Sequence, residues 1–266
     1  MTGLAGVMRI ASWNVNSLKA RQGLVLDWLA REQPDAACLQ ELKLVEDAFP
    51  FAAFQELGYH AAVLGQKAWN GVAILSKTPL EGVLKGLPGD DADEQARYIE
   101  ATVTGPTPVR VASVYLPNGN PIGTEKFAYK LAWFARLQQH AAGLLERGGP
   151  LVITGDFNVI PDEQDAKKPY EWLEDALFRP ESRAAWRDLK AIGLVDAYEK
   201  IDGKAGGYTF FAYTMLAWQR KNGIRIDHAL LSPDAVTALR AFDIHRDERG
   251  KEKPSDHVPV VVTLDL

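Results

Sequence analysis

The sequence predicts an α/β layered domain whose sheet contains both parallel and antiparallel strands. Short apolar runs typical of strands alternate with helical patterns along the chain, as in layered α/β proteins. The runs Tyr98–Val103 and Val109–Tyr115 are joined by a short link around Gly105 and Pro106, which is typical of an antiparallel pair. No linker or long run of one charge sign divides the chain, so we expect a single domain.

Eight runs of apolar and β-branched residues are expected to form strands. They are Met8–Trp13, Ala36–Leu39, Gly71–Leu75, Tyr98–Val103, Val109–Tyr115, Leu151–Thr154, Ile224–Leu231 and Val258–Leu264. Three segments between apolar runs, Gly86–Glu94, Asn118–Gly123 and Pro161–Pro169, are expected to be loops.

Two helices are predicted from apolar residues that recur at steps of three and four. The first covers residues 18–31, with Trp28 and Leu29 on its apolar face and Pro34 after its end. The second covers residues 124–147, where Thr124 is in a position to cap the helix and Gly148-Gly149-Pro150 ends it.

Composition excludes several protein classes. The 266 residues carry 30 Lys+Arg against 35 Asp+Glu, a net charge of −5, which argues against a protein that coats nucleic acid by bulk charge. The single cysteine, Cys38, excludes an internal disulfide and a cysteine-anchored zinc site. No apolar stretch has the length of a membrane helix or the character of a secretory signal, so we expect a cytoplasmic protein without membrane contact.

Polar side chains follow or interrupt the predicted strands at five places. They are Asn14, Glu41, the pair Asp156 and Asn158, Asp227, and the pair Asp256 and His257. Each has an ordinary structural interpretation: Asn14 forms a turn, Glu41 makes a solvated pair with Lys43, Gly155–Asn158 forms an Asx turn, and His257 fills a partly buried corner. Asp227 is harder to explain in this way, because a charge within an apolar strand is costly unless it is paired or metal-bound.

Taken together, these residues favour a hard metal site. Four carboxylates, two carboxamides and one imidazole, without a cysteine, suit Mg²⁺ or Mn²⁺ better than Zn²⁺. A hard cation, a carboxylate base and an imidazole are suited to hydrolysis of a phosphate ester. The G-x-S-x-G, His-Glu-x-x-His, Walker and G-x-G-x-x-G signatures of other enzyme classes are absent from the sequence.

Five motifs in fixed order carry a family resemblance. They are Ser12-Trp-Asn-Val-Asn16, Leu39-Gln-Glu-Leu-Lys43, Gly155-Asp-Phe-Asn158, Arg225-Ile-Asp-His228 and Ser255-Asp-His-Val-Pro259. The chain resembles the exonuclease III family of apurinic/apyrimidinic (AP) endonucleases, in the endonuclease/exonuclease/phosphatase superfamily. Tyr115-Leu-Pro-Asn-Gly119 and Glu125-Lys-Phe-Ala-Tyr-Lys130 match the exonuclease III branch specifically. The resemblance begins at Met8, so we expect residues 1–7 to be an extension of a domain that spans 8–266.

The resemblance implies a four-layer α/β sandwich, with two mixed β-sheets packed face to face and helices on the outside. It also implies a role for each matching residue. Glu41, supported by Asn14, would hold Mg²⁺, for which Mn²⁺ would substitute, and Asp156 would orient or deprotonate the attacking water with help from Asn158. Asp227 would keep His257 oriented and protonated against the scissile phosphate.

The remaining implied roles lie at the edge of this site. Tyr115 and Asn118 would contact the phosphate or the nearby backbone, and Asp256 would be a second carboxylate on the metal side. The implied metal set is Asn14, Glu41, Asp156, Asn158, Asp256 and His257, and the implied catalytic set is Tyr115, Asp156, Asn158, Asp227 and His257.

The implied activity is that of a Mg²⁺-dependent nuclease on duplex DNA. It would cleave 5′ to abasic sites and remove nucleotides from 3′ ends, acting as a monomer. One segment departs from the family pattern: Phe210 stands where tryptophan is common in the pocket for the abasic sugar, and Ala212-Tyr-Thr214 replaces the usual Asp-Tyr-Arg. This change leaves the balance between the two activities open. The alternative interpretation is that Phe210 and Phe211 are core residues of a strand.

DNA contact requires local positive charge, which the sequence offers in two places. Residues 217–225 contain Trp218 with three cations and no acid, and two lysines share a face at the start of the second helix. The candidates for DNA contact are Asn118, Lys126, Lys130, Phe210, Trp218, Arg220, Lys221 and Arg225. The ordinary interpretation of such clusters is a solvated surface.

Two other functions compete with a DNA nuclease. A relative that hydrolyses lipid or small-molecule phosphodiesters would share the metal site, but an apolar membrane-facing loop is not visible in the sequence. A catalytically inactive binding domain would be expected to lack at least one motif residue, and all are present. The enzymatic interpretation requires four residues to converge in one place: Glu41, Asp156, Asp227 and His257.

Overall fold

The computed structural model describes residues 6–266, and over these residues the strands form two six-stranded sheets. The strands are β1 (Val7–Asn14), β2 (Ala36–Gln40), β3 (His60–Leu64), β4 (Val72–Ser76), β5 (Leu80–Lys85), β6 (Tyr98–Val103), β7 (Val109–Tyr115), β8 (Leu151–Asp156), β9 (Val195–Asp196), β10 (Asp227–Leu231), β11 (Leu239–Ile244) and β12 (Val260–Asp265). The helices are α1 (Leu18–Glu32), α2 (Phe51–Glu56), α3 (Glu125–Glu146), α4 (Pro180–Ala191), α5 (Ala197–Ile201) and α6 (Pro233–Ala238).

Both sheets are mixed, as the sequence predicts. The first has the order β11-β12-β1-β2-β4-β3 and the second has the order β5-β6-β7-β8-β10-β9. Only β1 with β2 and β7 with β8 pair in parallel among the described strands, and the other neighbours are antiparallel. In each parallel pair, both strands therefore end at the same edge of their sheet.

Three apolar clusters show how the layers stack. One joins the facing sides of the two sheets and includes Ile10 and Val111. A second packs the outer side of the first sheet against α1 and α2, with Trp28 and Phe54 at its centre. A third packs the outer side of the second sheet against α3 and α4, including Trp133. Because both faces of the central strands are covered, these strands are apolar at nearly every position.

The arrangement confirms the predicted four-layer α/β sandwich. The central strands and the two predicted helices lie where the sequence places them, within one or two residues at most ends. Two starts are wrong: β10 begins at Asp227 and not at Ile224, which makes only isolated bridges to Phe210 and Ala166, and β12 begins at Val260 and not at Val258. Asp227 therefore lies at the beginning of a strand and not inside one.

The two ends of the described residues pair in the first sheet. The Gly6 N–H donates to the Leu266 carbonyl at 2.8 Å, and Val7 pairs with Asp265. Gly6 and Val7 are therefore part of the sheet, so the predicted extension over residues 1–7 is too long at its end. Residues 1–5 lie outside the described residues. Among residues 6–266, no helix is long and apolar enough to cross a membrane.

A buried carboxylate on β6 predicts loss of stability in acid. Glu100 is 1% exposed and accepts hydrogen bonds from Tyr98, Arg110 and His140. Burial alone would raise the pKa of Glu100, but these hydrogen bonds lower it to about 2. A carboxyl pKa that folding lowers contributes stability above its ordinary value, here about 3 kcal/mol, and this contribution is lost as the pH falls from about 4.5 towards 2.

We expect Glu100→Gln to remove this part of the pH dependence. Urea unfolding at a series of pH values between 2 and 7 would measure it, with the exposed Glu81→Gln on the neighbouring strand β5 as the control. A Glu100→Gln variant whose free energy of unfolding falls with acid as steeply as that of the wild type would contradict the prediction.

Candidate active site

Strand register in the second sheet brings three site residues side by side. Asp156 is the last residue of β8, with Tyr115 opposite it on β7 and Asp227 opposite it on β10. Residues directly opposite each other in a sheet point to the same face. The three side chains therefore form a row at the end of this sheet, towards the first sheet.

The first sheet supplies Asn14, at the end of β1, and Glu41, directly after β2. Asn14 is fully buried, and its Nδ2 donates to Glu41 Oε1 at 2.8 Å and to Asp156 Oδ2 at 3.0 Å. One amide group therefore joins the carboxylates of the two sheets. Lys43 Nζ also lies 2.9 Å from Glu41 Oε2, so the predicted Glu41–Lys43 pair exists within the site.

The charge of Glu41 is stabilised by these contacts. Burial would raise the pKa of Glu41, but the hydrogen bonds from Asn14 and Lys43 outweigh it and the pKa is lowered. Glu41 is therefore an anion at neutral pH, as a ligand for a divalent cation must be.

Asp227 has the partner that its burial requires. His257 Nδ1 lies 2.9 Å from Asp227 Oδ2 and 3.1 Å from Oδ1. Burial would lower the pKa of His257, but the Asp227 and Asp156 carboxylates raise it to about 10. The imidazole is therefore a cation at neutral pH, with a hydrogen on each nitrogen.

The backbone of His257, in the loop before β12, is held by Ser255 and by Trp13 of β1. The Ser255 hydroxyl donates to the Asn14 carbonyl at 2.7 Å and accepts from the His257 N–H at 3.2 Å. Trp13 Nε1 donates to the His257 carbonyl at 3.1 Å. The imidazole is thereby fixed above the end of β8, where its Nε2 lies 3.7 Å from Asp156 Oδ2.

Asp156 lies at the centre of the group. Burial raises its pKa most, and Asp227 and Glu41 raise it further, while the His257 charge lowers it; the result is about 7. The Asn158 N–H donates to Asp156 Oδ1 at 2.9 Å and fixes the carboxylate. The preceding residue must be glycine, since a Cβ on Gly155, whose φ is +153°, would lie 1.9 Å from the Val114 carbonyl oxygen on the adjacent strand.

The donor atoms fit a hard divalent cation. One ligand atom each from Glu41, Asp156 and His257 lies within 4.8 Å of the others. Carboxylate oxygens are the ligands that such a cation prefers, so Glu41 and Asp156 are the first candidates, and a metal role for His257 stays a prediction. Asp256, a predicted metal ligand, is not in this group: its Oδ1 accepts from Asn16 Nδ2 at 3.0 Å.

The predicted residues at the edge of the site are held by one another. Asn118 Nδ2 donates to Asn158 Oδ1 at 3.2 Å, and Asn158 Nδ2 donates to the Leu116 carbonyl at 2.9 Å. The Asn158 amide is therefore engaged on both sides, and Asn118 is exposed beside it. Phe210 is half-buried: its ring centre lies 5.0 Å from that of His257, and it also packs against a buried apolar cluster, so it lies at the rim of the site and against the core.

Two of the predicted DNA contacts are wrong. Lys130 is completely buried, and its Nζ donates to the carbonyls of Asn118 and Asn158, so it braces two loops of the site from behind. Burial lowers the pKa of Lys130 to about 7. Arg225 is 1% exposed and forms ion pairs with Asp165 at 2.7 Å and Asp196 at 2.6 Å. Neither side chain has a surface to offer to DNA.

The other candidates for DNA contact remain available. Lys126, Arg220 and Lys221 are exposed, and Trp218 is half-buried. Contact between these side chains and DNA stays a prediction.

Sequence reasoning missed the side chains that orient the catalytic groups. Arg97 stacks over the Tyr115 ring at 4.8 Å and donates to its carbonyl. The Thr209 hydroxyl accepts from the backbone N–H of Asp227 at 3.1 Å. Of these residues, only Ser255 could have been found from the sequence, because it is the first residue of the Ser255–Pro259 motif. Arg97 and Thr209 lie in segments without a motif.

Comparison with known proteins identifies the family. Residues 11–257 match the Endonuclease/Exonuclease/phosphatase family. The chain is 34% identical to exodeoxyribonuclease III of Haemophilus influenzae over 262 residues, which cover 95% of this chain and 98% of that protein.

Two solved structures are similar over nearly their whole length. The Neisseria 3′ phosphatase NExo, bound to a product DNA hairpin, is 41% identical with a TM-score of 0.94, over 97% of this chain and 100% of that one. An AP endonuclease from Archaeoglobus fulgidus is 35% identical with a TM-score of 0.93, over the same shares. The chain therefore belongs to the endonuclease/exonuclease/phosphatase family, and within it to the exonuclease III family of AP endonucleases.

Proposed function

We propose that the protein is a Mg²⁺-dependent DNA repair nuclease that cleaves duplex DNA 5′ to abasic sites and removes nucleotides from 3′ ends. The observation that carries this proposal is the convergence of Glu41, Asp156, Asp227 and His257 at one edge of the sandwich, joined through Asn14. An anionic metal site next to a fixed cation is suited to a phosphodiester, whose charge increases as it is attacked.

The chemistry is hydrolysis of a P–O bond. Asp156 accepts a proton from water as the water oxygen bonds to phosphorus. The bond from phosphorus to the 3′ oxygen breaks, and this oxygen takes a proton from solvent, which leaves a 3′-hydroxyl and a 5′-phosphate. The His257 N–H donates to a non-bridging phosphate oxygen and stabilises the negative charge there. A cation held by Glu41 and Asp156 would neutralise phosphate charge and lower the pKa of water. Asn14 keeps both carboxylates in place.

DNA as the substrate is supported by the relatives. The similar proteins are an exodeoxyribonuclease, a 3′ phosphatase bound to DNA and an AP endonuclease. Phe210 at the rim, next to His257, would face the sugar beside the scissile phosphate. The choice of Mg²⁺, the preference for abasic sites, the monomeric state and the cytoplasmic location remain predictions.

Two substrates with and without Mg²⁺ test this proposal. One is a duplex oligonucleotide with a single abasic analogue, and the other is an intact duplex with a recessed 3′ end. We expect incision of the first and shortening of the second, both lost with EDTA and restored by Mg²⁺ or Mn²⁺. Cleavage that persists in EDTA would contradict the metal role, and failure on both duplexes would contradict the nuclease function.

A further inference from the structure

A second cleft lies on the other side of the segment that carries Phe210. Neighbouring side chains of an extended segment point in opposite directions. The Phe210 ring packs against His257, whereas the Phe211 ring packs edge-on against Trp218, with 5.0 Å between ring centres. The cleft beyond Phe211 has a volume of about 610 Å³. The side chains that shape it are Lys167, Tyr208, Phe211, Trp218, Lys221 and Arg246.

The cleft combines aromatic rings with positive charge. Three of its side chains are aromatic and three are cations, and no acid lines it. None of the cations has a carboxylate within 4.0 Å among the described residues. Burial and the nearby Asp165 carboxylate raise the pKa of Tyr208. Asp165 is itself buried and paired with Arg225. The cleft therefore complements a ligand that is both flat and anionic.

A glycine allows the aromatic rings to form this cleft. A Cβ at Gly223 would lie 2.5 Å from Phe211 Cε1 and 2.7 Å from Tyr208 Cβ. The backbone at residue 223 thus lies directly against the Phe211 ring and the base of the Tyr208 side chain, which a larger residue would prevent.

We propose that this cleft binds an unpaired nucleotide of a DNA strand. Aromatic side chains stack on bases, and Lys and Arg pair with phosphates, so a nucleotide satisfies both halves of the cleft. A base inside a duplex has both faces covered by its neighbours, so only an unpaired base has a face free for Trp218 or Tyr208. The proposal rests on the proposed nuclease function and extends it to DNA with single-stranded segments beside the cleavage site.

Binding of a labelled eight-nucleotide oligothymidylate in EDTA tests the cleft without cleavage. Trp218→Leu keeps an apolar side chain but removes the ring, and we expect it to weaken binding about tenfold. Trp218→Phe keeps a flat ring and should stay within about threefold of the wild type. Lys221→Ala should reduce the slope of log Kd against log salt by about one, whereas Lys85→Ala, which removes a charge at the opposite edge of the second sheet, should not.

The comparison with a blunt duplex decides the outcome. The proposal is overturned if Trp218→Leu binds the oligothymidylate as the wild type does, or if it loses the same factor on the duplex. If Trp218→Leu does not fold, the variants Lys167→Ala and Lys221→Ala, both at exposed positions, replace it, and their binding to the oligothymidylate is again compared with their binding to the blunt duplex. Wild-type cleavage in Mg²⁺ is measured separately, so loss of the nuclease function and loss of the cleft's role give different results.

Discussion

Replacing Asp156 with asparagine is expected to lower Mg²⁺-dependent cleavage of an abasic duplex by at least about 10³-fold, because an amide neither accepts a proton from water nor neutralises a cation. The fold should be kept. Asparagine has one acceptor oxygen, so it keeps only one of the two hydrogen bonds that Asn14 and Asn158 donate to separate oxygens of Asp156, but it also removes a buried carboxylate whose pKa burial raises to about 7. Because the two effects oppose each other, we expect a free energy of unfolding at pH 8 within about 2 kcal/mol of that of the wild type.

Single-turnover cleavage and urea unfolding measured on the same preparation separate the two effects. Asp188→Asn, an exposed position on α4, is the matched control and should change neither quantity. Near-normal turnover by the Asp156→Asn variant would sink the proposed mechanism. If Asp156→Asn lost activity only because it no longer folded, the variant would not support a chemical role for Asp156.

Arg225→Met is expected to be the most destabilising of the substitutions considered, at about 3–5 kcal/mol. The guanidinium is completely buried, and its removal leaves Asp165 and Asp196 buried without their shared cation. Lysine should restore little, since a single ammonium cannot reproduce the two-sided contact of the guanidinium. The damage should extend to catalysis, since Arg225 is two residues before Asp227.

Chemical unfolding of Arg225→Met, Arg225→Lys and Arg220→Met tests this expectation. Arg220 is exposed and lies in the same segment, so its variant should keep the wild-type stability. If instead Arg225→Met unfolds like the wild type and binds DNA more weakly, the arginine acts on DNA and its buried ion pairs are dispensable.

The buried strands could be predicted from the sequence, whereas the edge strands and the burial of charged side chains could not. Strands buried on both faces, such as β2 and β8, begin with a continuous apolar run and are easy to recognise. The four edge strands β3, β5, β9 and β11 were missed, because β9 has only two residues and most side chains of the other three are exposed or half-buried and carry no such pattern. Charge in a sequence does not report burial, so Arg225 and Lys130 were assigned to the surface although their partners come from distant segments.

For the site, too, the residue types could be predicted from the sequence but their relative positions could not. The residue types at strand ends indicated a hard metal site and a phosphate ester, and the family resemblance assigned their roles. The register that puts Asp227 opposite Asp156, and the amide of Asn14 between two carboxylates, depend on how strands from remote parts of the chain pair. No local pattern contains that information.

The Asn14 bridge also has a consequence for the order of events during synthesis. Its two carboxylates come from different sheets, and Asn14 is 142 residues away from Asp156 in sequence. His257 arrives later still, directly before β12, which inserts between β1 and β11 to complete the first sheet. A chain cut before residue 257 lacks both His257 and the strand that separates β1 from β11. We therefore expect such a fragment to show no cleavage of an abasic duplex.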